Sequence, residues 1–171
     1  MDLVTHAMAG LLVGSIAAKR KVPLYPVLLT GTLAAAMLDF DAILYPIDIG
    51  LYFKYHRLFT HSLLLAPFYA GLGALPAWLW VRTRYLYFYL IALISILLHL
   101  GLDLPCDYQL CLLFPLNRKD FALHLIPYSS IPALLVITAL AITILLIRFR
   151  NLGSAKPGKS SPKMNRPFPK P

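Results

Sequence analysis

The chain has 171 residues, of which 59% are hydrophobic and only 13% are charged, and its mean hydropathy is +0.71. This balance excludes an ordinary soluble domain and predicts an all-α, polytopic membrane helical bundle. The formal net charge of +9 would suggest nucleic acid in a soluble protein, but the basic residues here lie between or after apolar runs. They therefore indicate membrane orientation, and we expect no specific nucleic-acid partner.

Five apolar segments predict about five transmembrane helices. They run approximately from Leu3 to Ala18, Val22 to Leu44, His61 to Val81, Tyr85 to Leu104 and Pro127 to Ile147. The first segment is short for a span of ~20 residues, and the basic cluster Lys19-Arg20-Lys21 follows it. A cleaved signal peptide carries its positive charges before the apolar core, so we expect the first segment to remain in the mature protein.

Residues 1–147 are predicted to form one membrane-embedded domain and residues 148–171 a disordered basic tail. The tail has seven Lys or Arg, no acidic residue and five prolines, a composition suited to anionic lipid headgroups. If the N-terminus faces outward, twelve basic residues lie on the cytoplasmic side and four outside. The positive-inside rule thus predicts a multi-pass protein of the cytoplasmic (inner) membrane with its tail in the cytoplasm.

In this five-span topology, all histidines and aspartates fall on the extracytoplasmic side. Those at the segment ends are Asp2, His6, Asp39, Asp41, His56, His61, His99 and Asp103. Polar and ionisable groups are costly to desolvate at a membrane boundary, so their accumulation on one face predicts a functional site there. Taken singly, each has a plainer explanation, such as a core histidine, a helix-start acid or a topology-setting arginine.

The local spacing favours a metal site. His99 and Asp103 are four residues apart, as are Asp2 and His6, so each pair shares a helix face. Of Asp39 and Asp41, one carboxylate is expected to bind the metal while the other orients a ligand or takes a proton. Zinc accepts nitrogen and carboxylate oxygen ligands and keeps an open position for water when it is catalytic. These donors suffice for one or two divalent ions, with zinc the expected metal.

Four motifs in this order resemble a known family. They are Asp2-x-x-Thr5-His6, Asp39-x-Asp41, His56-Arg57-x-x-Thr60-His61-Ser62 and His99-x-x-x-Asp103. The pattern resembles the YdjM-like inner-membrane proteins, a family described as LexA-regulated, membrane-bound, metal-dependent hydrolases. The likeness covers about Met1 to Leu125. Leu38 stands where the family usually has proline, and the later Thr-x-Tyr-Gly and Trp-Pro-Phe elements are replaced by Cys106-Asp107-Tyr108-Gln109 and Phe114-Pro115-Leu116.

A fainter similarity exists to the zinc-dependent phospholipase C and single-strand nuclease group. By that analogy the metal ligands would be His6, Asp39, His61, His99 and Asp103. Asp103 would be able to bridge two ions. The analogy concerns fold and ligand order only.

The leading hypothesis is a hydrolase of the outer membrane face that cleaves a phosphoester in a lipid or amphiphilic substrate. Its catalytic ion would be held by Asp39, His61, His99 and Asp103, with His6 and Asp2 completing or supporting the site. Asp41 or His56 would act as general base or would orient a ligand. Arg57 would offset negative charge that develops on the substrate.

Two other classes of function remain open from the sequence. A non-catalytic protein would use the metal to hold helix ends together, with the tail binding a partner or lipid. A metal or proton transporter is less favoured because the third and fifth segments carry no ionisable residue through the bilayer. The cysteines Cys106 and Cys111 would form a disulfide in an extracytoplasmic loop or serve as small apolar fillers.

Overall fold

A computed structural model describes residues 1–19, 21–82, 84–107, 109–127 and 131–153, the side chains of residues 53, 54 and 151–153 excepted. Its elements in chain order are α1 (Leu3–Ala17), α2 (Leu24–Ala36), a 3₁₀ segment (Met37–Leu44), α3 (Ile49–Tyr55), α4 (Ala66–Val81), α5 (Tyr85–Asp103) and α6 (Ile131–Gly153). Within the described ranges, β-structure is limited to two isolated bridges. The predicted all-α class is therefore confirmed.

Helices α1 and α2 cross at closely apposed glycines. A Cβ atom added at Gly10 would lie 2.1 Å from the carbonyl oxygen of Gly31, and one added at Gly14 would lie 2.9 Å from that of Val27. Small residues allow helix backbones to approach closely, and such contacts are a common way for membrane helices to associate. This crossing holds the start of α1 against the last turns of α2.

The remaining helices complete the bundle around two buried apolar clusters. One cluster includes Val27 of α2, Ala77 of α4 and Phe88 of α5. The second lies nearer the C-terminal end of α5 and contains Ile96. Helix α6 packs mainly along α1, where an Arg148 Nη2–H donates to the carbonyl of Ile16 over 2.8 Å.

Among the residues that the structure describes, three helical stretches are long and apolar enough to cross a membrane. They are Leu24–Leu44, which joins α2 to the 3₁₀ segment, Tyr85–Asp103 and Ile131–Arg150. Helix α1 is apolar but shorter. Large apolar side chains on the bundle surface, such as Phe68 at 62% exposure, suit contact with lipid rather than water. The chain is thus a helical membrane protein with three candidate spans in its described part, and the five-span arrangement stays a prediction.

Some element boundaries differ from those the sequence predicts. Helix α4 begins at Ala66 rather than at His61, because Pro67 is favoured in a first helical turn and disfavours helix in the residues before it. The short helix α3 precedes this turn and was not predicted. Helix α6 continues to Gly153, past the predicted start of the tail at Arg148. Residues 154–171, the rest of that tail, lie outside the described residues.

The loop between α5 and α6 folds back over the bundle end. Reciprocal backbone bonds link Leu110 and Phe121. Cys106 is buried and Cys111 is half-buried, and both are free thiols. The Cys111 thiol donates to the Asp120 carboxylate. The structure therefore has no disulfide between Cys106 and Cys111.

Candidate metal centre

The last turns of α5 carry two of the predicted ligands. His99 and Asp103 are four residues apart and fully buried, and the His99 Nε2 atom lies 3.5 Å from Asp103 Oδ2. The His99 Nδ1–H donates to the Ala35 carbonyl over 2.6 Å. Because a carbonyl oxygen only accepts, the Nε2 atom of a neutral His99 carries a lone pair rather than a proton. That lone pair faces the cluster.

The 3₁₀ segment brings two further carboxylates to the same end of the bundle. Residues two apart point in nearly opposite directions on an α-helix, whereas they are only about 120° apart on a helix with three residues per turn. The tighter winding explains why Asp39 and Asp41 are both buried while Phe40 between them is 65% exposed. The Asp39 Oδ1 atom lies 3.3 Å from the Nε2 atom of His61.

His61 enters the cluster from the turn before α4. The neighbouring Ser62 hydroxyl donates to the carbonyl of Phe114, and the Leu63 N–H donates to the carbonyl of Leu112 over 2.9 Å. These bonds fix the turn against the α5–α6 loop, so His61 is held without belonging to a helix. Its Nε2 atom lies 3.1 Å from His99 Nε2.

Helix α1 contributes His6, whereas the predicted ligand Asp2 has another role. The fully buried His6 ring stacks on His99, and its Nε2 atom lies 3.1 Å from Asp103 Oδ1. The Asp2 carboxylate instead accepts hydrogen bonds from the backbone N–H and the hydroxyl of Thr5, at 2.9 and 2.6 Å. Asp2 thus caps the start of α1 and belongs to neither group of potential ligands.

Within the described ranges, two overlapping groups have metal-ligand spacing. They are His6 with Asp39 and His99, and His61 with His99 and Asp103, and the potential ligand atoms in each group lie within 4.8 Å of one another. The Oδ2 atoms of Asp39 and Asp103 are buried and make no hydrogen bond within the described part of the chain. The lone pair of His99 faces them as well, and the donors beside this group of acceptors include the Met1 α-amino group and the Arg57 guanidinium, both at Asp103. Imidazole nitrogens and carboxylate oxygens in this arrangement are suitable ligands for a divalent cation such as zinc.

The predicted catalytic residues form a connected chain beside these ligands. The His56 Nδ1 atom lies 3.0 Å from both oxygens of Asp41, and the Arg57 Nε–H donates to His56 Nε2 over 3.1 Å. Since a guanidinium only donates, the neutral His56 ring accepts at Nε2 and donates from Nδ1 to Asp41. The other end of Arg57 reaches one of the potential metal ligands, with Nη2 3.6 Å from Asp103 Oδ2.

Arg57 also has an uncommon backbone conformation. Its φ angle is +64°, a left-handed conformation that costs a residue with a side chain some free energy, and the side chain is only 3% exposed. The hydrogen bond to His56 and the ion pair with Asp103 hold it there. A strained, buried cation beside the Asp103 carboxylate is typical of a functional site rather than a surface position.

Burial affects the ionisation of two groups at the cluster that lie outside the helices. It lowers the pKa of His61 well below its ordinary value, and the charge of Arg57 adds to the effect. Burial, and then Arg57, also lower the pKa of the Met1 α-amino group to about 6; this group contacts Asp103. His61 is therefore neutral near pH 7, which is the form of imidazole that binds metals.

Other contacts at the site were not predicted from the sequence. The Thr60 and Ser62 hydroxyls occur within the recognised motif, yet nothing in the spacing indicated their partners. The hydrogen bond from His99 to the Ala35 carbonyl involves a backbone group, so the residue type at position 35 does not indicate it. The fifth histidine, His124, is 60% exposed and lies 3.8 Å from Asp107, apart from both potential ligand groups.

The fold and the cluster define a helical membrane protein with a buried histidine and aspartate centre. The model of the YdjM inner membrane protein family matches residues 1–159, and the chain belongs to this family. The resemblance drawn from the motifs is thereby confirmed. The chain is also similar to the uncharacterized protein YfhP of Bacillus subtilis strain 168, at 29% identity over 74% of this chain and 41% of YfhP. It thus spans about two fifths of that relative's length, and no solved structure matches it.

Proposed function

We propose that this protein is a membrane-bound, metal-dependent hydrolase that cleaves a phosphoester in a lipid or amphiphilic substrate. The observation that carries the proposal is the convergence of imidazole nitrogens and carboxylate oxygens from four parts of the chain. His99 presents a lone pair within 3.8 Å of Asp39 Oδ1 and within 3.5 Å of Asp103 Oδ2. Buried acceptors that face one another cost free energy; the Met1 α-amino group and Arg57 offset part of that cost at Asp103, and a bound cation would pair Asp39 and His99 as well.

The residues that share this centre would be the metal ligands. Asp39, His61, His99 and Asp103 would hold one ion, and His6 would complete that site or share a second ion through Asp103. A zinc-type ion supplies Lewis acidity and brings the pKa of a water molecule down to ~7. Zinc is the metal that best suits a mixed set of imidazoles and carboxylates, and the set has enough donors for one or two ions.

The neighbouring polar residues would handle the proton and the substrate charge. Asp41 is the better candidate for general base, because both ring nitrogens of His56 are engaged in holding Asp41 and Arg57. His56 then orients its two neighbours instead of exchanging a proton. Arg57, fixed beside Asp103, would offset the negative charge that develops on a phosphoryl oxygen.

The membrane arrangement we propose has five crossings, with the site at the extracytoplasmic face and the tail in the cytoplasm. Helices α1 and α4 would join the three longer candidate spans. Asp39, Asp41 and His56 retain slight exposure at the end of the bundle. A site at this depth suits a substrate whose polar group lies at the lipid headgroup level, and membrane lipids are the expected surroundings and substrate source.

A structural metal centre is the second candidate function. Its support is the complete burial of His6, His61, His99 and Asp103, which leaves little room for a substrate. In that case the ion would tie α1, α2, the turn before α4 and α5 together, and the tail would bind lipid or a partner. Structural zinc sites have four protein ligands and no open position.

The two functions differ in how they depend on Arg57. Detergent-purified protein loaded with Zn²⁺ would be assayed against a panel of phospholipids and soluble phosphoesters. For the hydrolase we expect turnover that falls about 100-fold in Arg57→Gln, comparable to the loss of one charge-stabilising donor, while bound zinc is unchanged. Metal-loaded wild type that is inert across the panel would instead favour the structural centre.

A further inference from the structure

The Thr60 hydroxyl lies between the Asp41 carboxylate and the His61 ring. Its Oγ1 atom is 3.4 Å from Asp41 Oδ2 and 2.9 Å from His61 Nδ1, and the residue is 8% exposed. A hydroxyl has one proton to donate, and an ionised carboxylate only accepts. With the hydroxyl proton directed to Asp41, the Thr60 oxygen presents lone pairs to the ring and accepts from His61 Nδ1–H.

This contact determines which nitrogen of His61 is free. A neutral imidazole carries one ring proton, so protonation at Nδ1 leaves Nε2 with a lone pair. Nε2 is the atom that lies 3.3 Å from both Asp39 Oδ1 and Asp103 Oδ2. The Ala35 carbonyl has the same effect on His99. A hydrogen bond to the outer nitrogen of a ligand histidine commonly fixes its tautomer and ring orientation.

We propose that Thr60 is a positioning residue which, anchored by Asp41, holds His61 in the tautomer that offers Nε2 to a metal ion. The inference rests on the proposed function only in treating His61 as a metal ligand. It also assigns Asp41 a second task, since the same carboxylate receives the Nδ1–H of His56. One aspartate therefore orients a metal ligand through Thr60 and the Arg57 guanidinium through His56.

The first test is titration of detergent-purified, metal-free protein with Co²⁺, followed by visible absorption. Thr60→Val preserves the shape of the side chain but removes the hydroxyl, and we expect Co²⁺ affinity to fall about 10-fold to 100-fold. Thr60→Ser keeps the hydroxyl and should restore both affinity and spectrum. The matched control is Thr30→Val, at a buried threonine whose hydroxyl donates to the Pro26 carbonyl of its own helix, and its affinity should equal that of wild type.

The second test reads the tautomer and requires no metal. In metal-free wild type labelled with nitrogen-15 histidine, the ring signals of His61, assigned by comparison with His61→Gln, should report a proton on Nδ1. In Thr60→Val this preference should be lost. Because the wild-type measurement stands by itself, it remains decisive if Thr60→Val does not fold.

The outcomes separate this inference from the proposed function. Wild type that binds no Co²⁺ would reject the metal centre, while an Nδ1-protonated His61 in the same protein that loses this preference in Thr60→Val would still support the positioning role. A wild-type His61 protonated at Nε2 would overturn the inference. So would a folded Thr60→Val variant with wild-type affinity and an unchanged tautomer.

Discussion

The His99 ring is constrained at both nitrogens, and this constraint gives the cluster its chemistry. Nδ1–H donates to Ala35, so Nε2 must face Asp39, Asp103 and His61 as a lone pair. Desolvated acceptors of this kind cost free energy unless they are paired. A bound cation pairs several of them at once, which a single proton does not.

The sequence predicted most of the residues in this cluster for a simple physical reason. The ends of the apolar segments can be located from the sequence. They assign five residues to one end of the bundle, namely His6, Asp39, His61, His99 and Asp103. Their roles as metal ligands stay a prediction. What could not be predicted is the set of hydrogen-bond partners, because those of Thr60 and Ser62 depend on a turn and a loop with no periodic pattern.

The sequence position of Asp2 is compatible with two different roles. Its separation from His6 by four residues suggested a shared ligand face, while its separation from Thr5 by three is typical of a helix N-cap. In the structure the capping bonds to Thr5 engage both carboxylate oxygens. The start of α1 needed an acceptor for its unpaired N–H groups, and Asp2 was the residue in position to provide it.

Among the helices, the α1–α2 crossing positions His6 for the site. His6 and Gly10 are one turn apart on α1, and Gly10 allows the close approach to Gly31. The 3₁₀ segment then turns Asp39 and Asp41 inward at the end of α2. These two features bring α1 and the 3₁₀ segment to the same centre.

Substitution of Gly10 by alanine should separate these two helices. Its Cβ atom would lie 2.1 Å from the Gly31 carbonyl oxygen, a clash that can be relieved only if the two backbones move apart. We therefore expect a loss of about 1–3 kcal/mol in stability. The melting temperature of detergent-purified protein should fall, and zinc affinity should fall with it because His6 moves.

Gly101 provides the control for that experiment. A Cβ atom added there meets nothing within 4 Å, so Gly101→Ala should melt at or slightly above the wild-type temperature, since alanine favours a helix interior. Equal melting temperatures for Gly10→Ala and wild type would show that the crossing does not depend on the glycine contact.

The helices themselves were more predictable than their ends. Apolar length located α1 and α5 to within a few residues, and it located α2 only together with the 3₁₀ segment that follows it, because desolvation of the backbone in lipid requires helix. It also located α6, although that helix ends at Gly153, six residues beyond the predicted Ile147. Helix α4 starts at Ala66 rather than at the predicted His61, because Pro67 belongs to its first turn and hydropathy does not register that position. The short helix α3 lies outside any apolar run long enough to span a membrane, so hydropathy gave no signal for it.

In the molecule as a whole, one end of the bundle holds the acids and histidines while the opposite end holds Lys19 and Lys21. Under the proposed topology the histidine end faces outward, because twelve basic residues would otherwise face the outside. Composition predicted the membrane class, which the family confirms. The number of crossings was less predictable, since the apolar helices include ones too short to assign by length alone.

Cysteine labelling tests this orientation. In a Cys111→Ser background, Asn117→Cys should react with a membrane-impermeant maleimide in intact spheroplasts, since its loop packs on the turn that carries His61. Lys21→Cys, at the other end, should react only after the membrane is permeabilised. The reverse pattern would place the site in the cytoplasm and would contradict the proposed topology.

Metal binding by the His and Asp cluster can be measured by elemental analysis of detergent-purified protein equilibrated with Zn²⁺. We predict at least one tightly bound ion per chain in wild type and in His124→Ala, which removes an exposed histidine, and none in the double variant His61→Ala with Asp103→Ala. A wild-type protein without bound zinc, or a double variant that retains the full amount, would rule out a metal centre at this cluster.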